Sequence, residues 1–433
     1  MDRLHHYWNI VRTSLWFVPL LMGMAAMAFA VALLTLGSGL PADKAEVWLL
    51  YSGNAENARG LLGALLSGMI TMTSLIISIT MVVLTLAAGQ LGPRLIRNFI
   101  GDRQTQAVLG LFLATILYLL VVFRTLDTET AENVPHLAVS TGTGLSALCL
   151  FVLLFFVHKL ARSIVYDSVV KSVASELADT VDRLQTRPGD GAAEPGPHPE
   201  LPGDATWIML GGDGYVQSID LAAIVAAAER ADAVVRLNVR PGHYVLARGE
   251  HVAVHPAGAC TDDLAGTIRS GFILGGERTP TQDVEFGIRQ LVEIALRALS
   301  PSMNDAFTAH AVIDNLSSSL ALIFERGTER RVLTDGEGHV RLVRDVPDDR
   351  DIIGAAFDQI RQSADGMASV LIRLADAIAR LAPYVGRPDQ RDALLEQLSL
   401  IQASGERSLD AGRDVEILRA RCGTARDRLA RRG

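Results

Sequence analysis

Hydroxyl side chains recur along one face of a long apolar segment in the first quarter of the chain. Their spacings of four, three, four and seven place them on one side of an α-helix: Ser67, Thr71, Ser74, Ser78 and Thr85. Small hydroxyl residues let helices approach closely and hydrogen-bond to one another in lipid. Hydroxyl oxygens can also replace part of an ion's hydration shell along a water-filled path. The stripe therefore indicates either a helix-packing seam or a pore lining.

A second polar pattern lies in the C-terminal half. Charges of alternating sign recur every four residues along a predicted helix: Glu285, Arg289, Glu293 and Arg297. They predict either a ladder of surface ion pairs, each worth a few tenths of a kcal/mol, or a functional surface, which would be a subunit interface or a charged binding surface. Ser300-Pro301 predicts the end of this helix. Asn304 and Asp305 follow and belong to the same candidate surface. We expect Ser302 or Asn304 to cap the next helix.

Residue types that several reaction classes require are missing. Lys44, Lys159 and Lys171 are the only lysines, so the C-terminal part offers none for a Schiff base, a phosphate-binding loop or a biotinyl or lipoyl group. His310 and Asp314 share a helix face and could ligate a metal, although a solvated helix face explains them more simply. We therefore expect no enzyme activity, no cofactor and no metal.

The composition places part of the chain in a membrane. Of 433 residues, 49% are hydrophobic, and the mean hydropathy is +0.27, which is unusual for a soluble chain of this length. The apolar excess lies almost entirely before residue 160. A net charge of −8, without a basic stripe bearing interleaved aromatic residues, argues against nucleic-acid binding.

Residues 1–160 are predicted to form a transmembrane domain. Four segments are long and apolar enough to cross about 30 Å of hydrocarbon as helices: residues 15–36, 60–88, 107–123 and 137–157. Basic residues are in excess before the first span, between the second and third, and after the fourth, whereas the other two loops are acidic or balanced. This distribution predicts a multi-pass protein of the bacterial inner membrane with both termini in the cytoplasm.

Gly89 and Pro93 interrupt the apolar run after the second span. Glycine frees the backbone and proline removes a helix hydrogen bond. The pair therefore indicates either a hinge between the second span and the cytosolic surface or a simple loop with basic anchors.

The rest of the chain is predicted to be a cytosolic α+β domain. Residues 161–205 would form a connecting helix and a Pro/Gly-rich linker, residues 206–258 a small β module, and residues 259–433 a mainly helical bundle with a β-hairpin near residues 331–344.

Turn residues in the β module resemble half of a barrel-sandwich hybrid. They are Gly214-Tyr215-Val216, Pro241-Gly242-His243-Tyr244-Val245 and Arg248-Gly249-Glu250. This resemblance implies a small rigid module for packing or docking, because no lysine is available for a carrier function.

The polar run through the predicted charged helix carries a family resemblance. It comprises Gly276-Glu277-Arg278-Thr279, Gln282-Asp283, Phe286 to Val292, Leu299-Ser300-Pro301 and Asn304-Asp305, together with Asp102 to Gln106 before the third span. It resembles the bacterial predicted-membrane-protein family called domain of unknown function 2254. The resemblance implies a shared architecture over nearly the whole chain and brings no catalytic residues.

Two functions fit these features. One is a homo-oligomeric channel or permeation pathway with a cytosolic regulatory or assembly domain, whose partners are the lipid bilayer, further copies of the chain and small ions. The other is a non-conducting membrane scaffold or sensor that docks a partner through its cytosolic domain. The hydroxyl stripe favours the first, and the absence of charge in the middle of every predicted span favours the second.

Overall fold

A computed structural model describes residues 16–37, 51, 53–91, 103–126, 134–163, 166–184, 204–327 and 329–431. Pro93 and nearly all of the predicted Pro/Gly-rich linker lie outside these residues. The chain divides into two compact units, Met1–Val165 and Tyr166–Gly433.

Four helices make up the described part of the first unit. They are α1 (Phe17–Gly37), α2 (Ala55–Leu91), α3 (Arg103–Thr125) and α4 (His136–Ser163). Each one contains a predicted span almost entirely. Threonine hydroxyls inside α2 donate to the carbonyl four residues earlier, as Thr73 does to Met69 O at 2.7 Å, so these polar groups are satisfied within their own helix.

Helix α3 is the central helix of this unit. It packs against α1, α2 and α4, and half of its apolar stretch is buried. The buried Tyr118 hydroxyl donates to Ala138 O of α4 at 3.0 Å. Thr115 Oγ1 lies 3.3 Å from Cys149 Sγ, which also belongs to α4. The other three helices present broad apolar surfaces outward, as helices that contact lipid do.

A fifth helix also satisfies the length and hydropathy of a membrane span. Within the described residues, the four helices above and Ala306–Arg326 of the second unit are long and apolar enough to cross a bilayer. The prediction of four spans is therefore not confirmed as a number, because hydropathy does not separate this helix from the others.

The second unit contains two sheets among its described residues. Its strands are β1 (Thr206–Ile208), β2 (Gly214–Ile219), β3 (Val234–Leu237), β4 (Tyr244–Val245), β5 (Val252–His255), β6 (Phe272–Gly275), β7 (Val332–Thr334) and β8 (Val340–Arg344). One sheet has the order β1-β5-β3-β8-β7, and the other is β4-β2-β6.

The predicted hairpin near residues 331–344 is present as β7 and β8, but it is not a separate element. Strand β8 pairs in parallel with β3, so that Val235 lies opposite Leu342. The hairpin thus adds two strands to the sheet of the predicted β module, although it lies about a hundred residues later in the sequence. This strand order does not support the barrel-sandwich resemblance.

Nine α-helices lie in the described part of the second unit. They are α5 (Tyr166–Leu184), α6 (Leu221–Arg230), α7 (Asp262–Gly271), α8 (Val284–Ala298), α9 (Ala306–Arg326), α10 (Asp349–Ser363), α11 (Ala368–Leu381), α12 (Pro388–Ser408) and α13 (Gly412–Ala430). Helix α9 packs against α5, α8 and α11. The side chains on its apolar face, such as Ile313 and Leu320, are fully buried in this bundle.

Candidate functional site

The hydroxyl stripe lies on the outward face of α2. The buried face of this helix consists of residues about one or two turns apart: Ala58, Leu62, Met69, Ile76 and Val83. At 100° per residue the stripe falls on the opposite side of the helix. All five stripe residues are exposed: Ser67, Thr71, Ser74, Ser78 and Thr85. No other described helix of the same unit covers them.

The stripe is narrow and locally satisfied. Thr71 donates to Ser67 O at 2.9 Å, and Thr85 donates to Met81 O at 2.8 Å. Exposed apolar side chains flank it on both sides: Ile70, Leu75, Ile77, Met81 and Val82. The outward face of α2 is therefore a line of hydroxyl oxygens within an apolar surface, which suits contact with lipid, with a second chain or with a narrow lumen.

Gly89, one half of the predicted hinge, lies within the last turn of α2, which continues to Leu91. Pro93, the other half, lies outside the described residues. The helix therefore runs through Gly89 without a break.

The predicted charge ladder is present on α8, but its first residue, Glu285, is buried. Arg289 lies 3.4 Å from Glu285, and Arg297 lies 3.3 Å from Glu293. Glu285 is only 9% exposed and binds Arg240 at 2.7 Å. Arg240 also binds Asp345 at 3.0 Å, so it joins the start of α8 to the segments that follow β3 and β8.

A second ion pair fixes the start of the same helix. Arg278 donates from Nε to Asp283 Oδ2 at 2.9 Å and from Nη2 to Oδ1 at 3.0 Å. Asp283 also accepts from Phe286 N at 3.0 Å and so caps α8. Burial raises the pKa of the Asp283 carboxyl, while Arg278 opposes that shift.

A cavity of about 140 Å³ lies beside this network. Three arginines line it, Arg183, Arg240 and Arg344, together with Glu329 and Asp345. Two of them are neutralised within the cavity wall, because Arg240 binds Asp345 and Arg344 binds Glu329 at 2.7 Å. These two ion pairs stabilise the junction between sheet and helices, while Arg183 donates to Thr180 Oγ1 at 3.0 Å.

Asn304 and Asp305 form the turn between α8 and α9. Asn304 has φ +47°, in the left-handed region that asparagine tolerates better than most residues. Asp305, rather than Ser302 or Asn304, caps α9: its Oδ1 accepts from Phe307 N and Thr308 N, both at 3.1 Å. The bond that the Thr308 hydroxyl donates at 2.6 Å is the largest cause of a lowered Asp305 pKa.

Phe307, which sequence reasoning did not single out, stands next to this turn with its side chain 85% exposed. Its ring lies 6.1 Å from the ring of His310, edge to face. The signal that could have found it is its place two residues after the Asn-Asp pair, at a position facing away from the apolar face of α9.

His310 and Asp314 do not come together as metal ligands. Asp314 is held by two arginines of α11, Arg373 through its Nε at 2.9 Å and Arg380 through its Nη2 at 2.7 Å. Within the part of the chain that the structure describes, there is no group of three or more histidine, cysteine or acidic side chains placed to hold a metal.

Comparison with known proteins identifies the family. The family described as "Predicted membrane protein (DUF2254)" matches residues 12–380. Among individual relatives, the uncharacterized proteins Mb1321c of Mycobacterium bovis and Rv1290c of Mycobacterium tuberculosis are each 29% identical over 413 residues, which is 92% of this chain and 77% of theirs. No solved structure matches. The chain therefore belongs to the DUF2254 family of predicted membrane proteins, as the motif from Gly276 to Asp305 predicts.

Proposed function

We propose that the protein is a homo-oligomeric channel or permeation pathway of the bacterial inner membrane, with a cytosolic unit that regulates or assembles it. The observation that carries this proposal is the placement of five hydroxyl residues on the exposed face of α2, opposite its packed face. A ring of copies that turned this face inward would line its axis with hydroxyl oxygens and leave the apolar flanks as contacts between subunits.

The chemistry of the stripe suits weak, multiple contacts with an ion. Thr71 and Thr85 donate their protons to backbone carbonyls, so each hydroxyl oxygen keeps a lone pair that can face a cation. Conduction needs binding that is favourable enough for entry and weak enough for exit. Uncharged hydroxyl groups meet that requirement better than a buried carboxylate, which would hold a cation tightly.

Cysteine accessibility tests this placement directly. In a background without Cys149, Cys260 and Cys422, Ser78→Cys would be reacted with a charged thiol reagent in the reconstituted full-length protein. The matched control is Leu154→Cys on α4, because Leu154 is 70% exposed in the single chain and faces outward from a different helix. We expect Ser78→Cys to react and Leu154→Cys to stay protected, because a thiol in lipid neither ionises readily nor meets a charged reagent.

Other outcomes contradict the pore. Equal protection of both cysteines would place the stripe in lipid or in a dry interface. Disulfide formation between copies of Ser78→Cys, without reagent access, would identify a packing seam. Planar-bilayer recording of the purified protein completes the test, and the absence of current across several salts and pH values would argue for the non-conducting alternative.

That alternative, a scaffold or sensor, has one specific observation in its favour. Phe307 is 85% exposed and Met303 36% exposed at the turn between α8 and α9. Phenylalanine and methionine side chains are enriched where one protein contacts another. Phe307→Ala should then leave folding intact and abolish recruitment of the partner, whereas a channel would keep its conductance.

The membrane topology is part of the same proposal. We place α1 to α4 across the membrane and keep α9 within the cytosolic unit, which leaves both termini in the cytoplasm. Support comes from Asp314 in the middle of α9. If α9 spanned the membrane, this carboxylate and its two arginine partners on α11 would have to enter the hydrocarbon together, which is costly.

A further inference from the structure

A wide groove lies among α9, α11 and α13 in the second unit, away from the charged network at α8. Its volume is about 910 Å³, which is in the range of sites that hold small organic ligands. The floor is apolar and small: Ala321, Ala379, Leu381 and Ala382. The rim carries Ser318 and Tyr384 with four charged residues, namely Asp314, Arg380, Arg428 and Arg431.

The charges of the rim do not balance. Three arginines and one carboxylate, that of Asp314, line the groove. Asp314 binds Arg380 of the rim and also Arg373 from outside the groove. Within the described residues, no ion pair joins Arg428 or Arg431 to a carboxylate. Counting only the rim, three positive charges against one negative leave an excess of two positive charges over an apolar floor.

Helix-end electrostatics explain only part of this arrangement. Arginines in the last turn of a helix offset its dipole, and both α11 and α13 end here. Each arginine could do so while pointing into bulk water. Here the ends of two separate helices, carrying Arg380, Arg428 and Arg431, meet at one concave surface. A chain whose net charge is −8 thus has a local positive site.

We propose that this groove binds an anion bearing a phosphate group. Guanidinium forks match phosphate oxygens in geometry and charge, and a phosphate monoester carries a charge of about −1.5 to −2 at neutral pH, close to the rim's excess. Tyr384 also lines the groove and offers a neutral hydroxyl donor, and the floor of alanines and Leu381 accommodates an attached apolar or flat group. The phosphate belongs either to a soluble metabolite or to a lipid headgroup.

Calorimetric titration with inorganic pyrophosphate tests the site in the full-length protein, reconstituted in phosphatidylcholine nanodiscs at about 0.15 M salt, where long-range attraction is screened. The test variant is Arg428→Gln. The matched control is Arg413→Gln, which removes the same charge from an exposed position of the same helix outside the groove. We expect saturable binding that weakens about tenfold or more in Arg428→Gln and is unchanged in Arg413→Gln.

Arg428→Lys should give an intermediate loss, because it keeps the charge but not the fork. Absence of saturable binding, or equal weakening by Arg413→Gln and Arg428→Gln, would overturn the proposal, the second result meaning a general charge effect. Unchanged thermal unfolding of the variants without pyrophosphate shows that they remain folded. Nanodiscs with phosphatidylglycerol then identify the source: competition that Arg428→Gln removes indicates a lipid headgroup, and unaltered pyrophosphate binding indicates a soluble ligand.

Discussion

At the scale of single residues, the start of α8 depends on one glycine. Gly242 has φ +90°, and its backbone lies against the ion pair between Arg278 and Asp283. A Cβ atom at this position would lie inside contact distance of the Asp283 carboxylate and of the Arg278 guanidinium. The glycine is therefore required both for the backbone conformation and for the space that the ion pair occupies.

Gly242→Ala should lower the free energy of unfolding of the second unit by about 3 kcal/mol or more, since backbone strain adds to the displacement of a buried, paired carboxylate. Thermal unfolding of the full-length protein in detergent measures the effect. Gly266→Ala is the control. Gly266 is an exposed position inside α7 with open space around it, so alanine should raise stability by about 0.5–1 kcal/mol. Equal effects of the two variants would show that Gly242 carries no such constraint.

The cap of α9 makes stability depend on pH. The Thr308 hydroxyl, followed by backbone N–H groups, lowers the pKa of Asp305. A carboxyl whose folded pKa lies below its unfolded value contributes stability above about pH 4 and loses it as the pH falls through the folded pKa. Asp305→Ala should remove about 1–2 kcal/mol at pH 7.

The same substitution should flatten the decline of stability below pH 4, because the titrating group is gone. Unfolding measured at pH 7 and at several values between pH 2 and pH 4 tests both effects. Asp262→Ala is a suitable control, because Asp262 lies in the first turn of α7 but is not its cap. A parallel pH profile for Asp305→Ala and the parent protein would contradict the assignment.

At the scale of elements, patterns confined to one helix were predictable and pairings between distant segments were not. The 3.6-residue period separates the packed face of α2 from its hydroxyl stripe, so the sequence alone indicates both faces. The pairing of β8 with β3 joins Leu342 to Val235, and no local pattern reports such a long-range register. For the same reason the ladder on α8 was predictable, whereas the bond from Glu285 to Arg240 was not.

Glu285 on α8 binds two arginines, and we expect them to contribute differently to stability: Arg240 through a largely buried pair and Arg289 through a surface pair. Arg240→Ala would leave Glu285, which is 9% exposed, with only the longer contact to Arg289, so we expect a loss of about 3 kcal/mol. Arg289→Ala removes a side chain that is 54% exposed, and its effect on unfolding should stay below about 0.5 kcal/mol. At about 2–4 °C in Tm per kcal/mol, thermal unfolding resolves the two variants.

Gel filtration of Arg289→Ala adds a separate result, because a changed profile would place this side chain at a subunit interface. An unchanged profile would mean that Arg289 belongs to a ladder of surface ion pairs. A large drop in Tm for Arg289→Ala, together with a small one for Arg240→Ala, would reverse the assignment of the two arginines.

At the scale of the whole molecule, hydropathy alone leaves the number of spans open. Five described helices pass the criterion, and α9 passes it because it is the core helix of a bundle, buried against α5, α8 and α11. A helix buried in protein and one buried in lipid have similar average composition. What distinguishes α9 is its polar content, with Asp314 bound to Arg373 and Arg380.

The parity of the spans decides the matter experimentally. If only α1 to α4 cross the membrane, residues on either side of α9 lie in the same compartment. Ser270→Cys and Ser399→Cys, both at exposed positions, would be placed singly in a background without native cysteines. Spheroplasts are then treated with a membrane-impermeant thiol reagent before and after permeabilisation. Thr128→Cys, in the acidic loop that the charge distribution assigns to the outside, is the positive control.

We expect Thr128→Cys to react in intact spheroplasts and both other cysteines to react only after permeabilisation. Reaction of Ser399→Cys, but not of Ser270→Cys, in intact spheroplasts would establish α9 as a fifth span. That result would place the α9 wall of the groove, including Asp314 and Ser318, in the hydrocarbon, and would contradict the phosphate site as well. The compartment of one exposed serine therefore tests the topology and the proposed phosphate site at once.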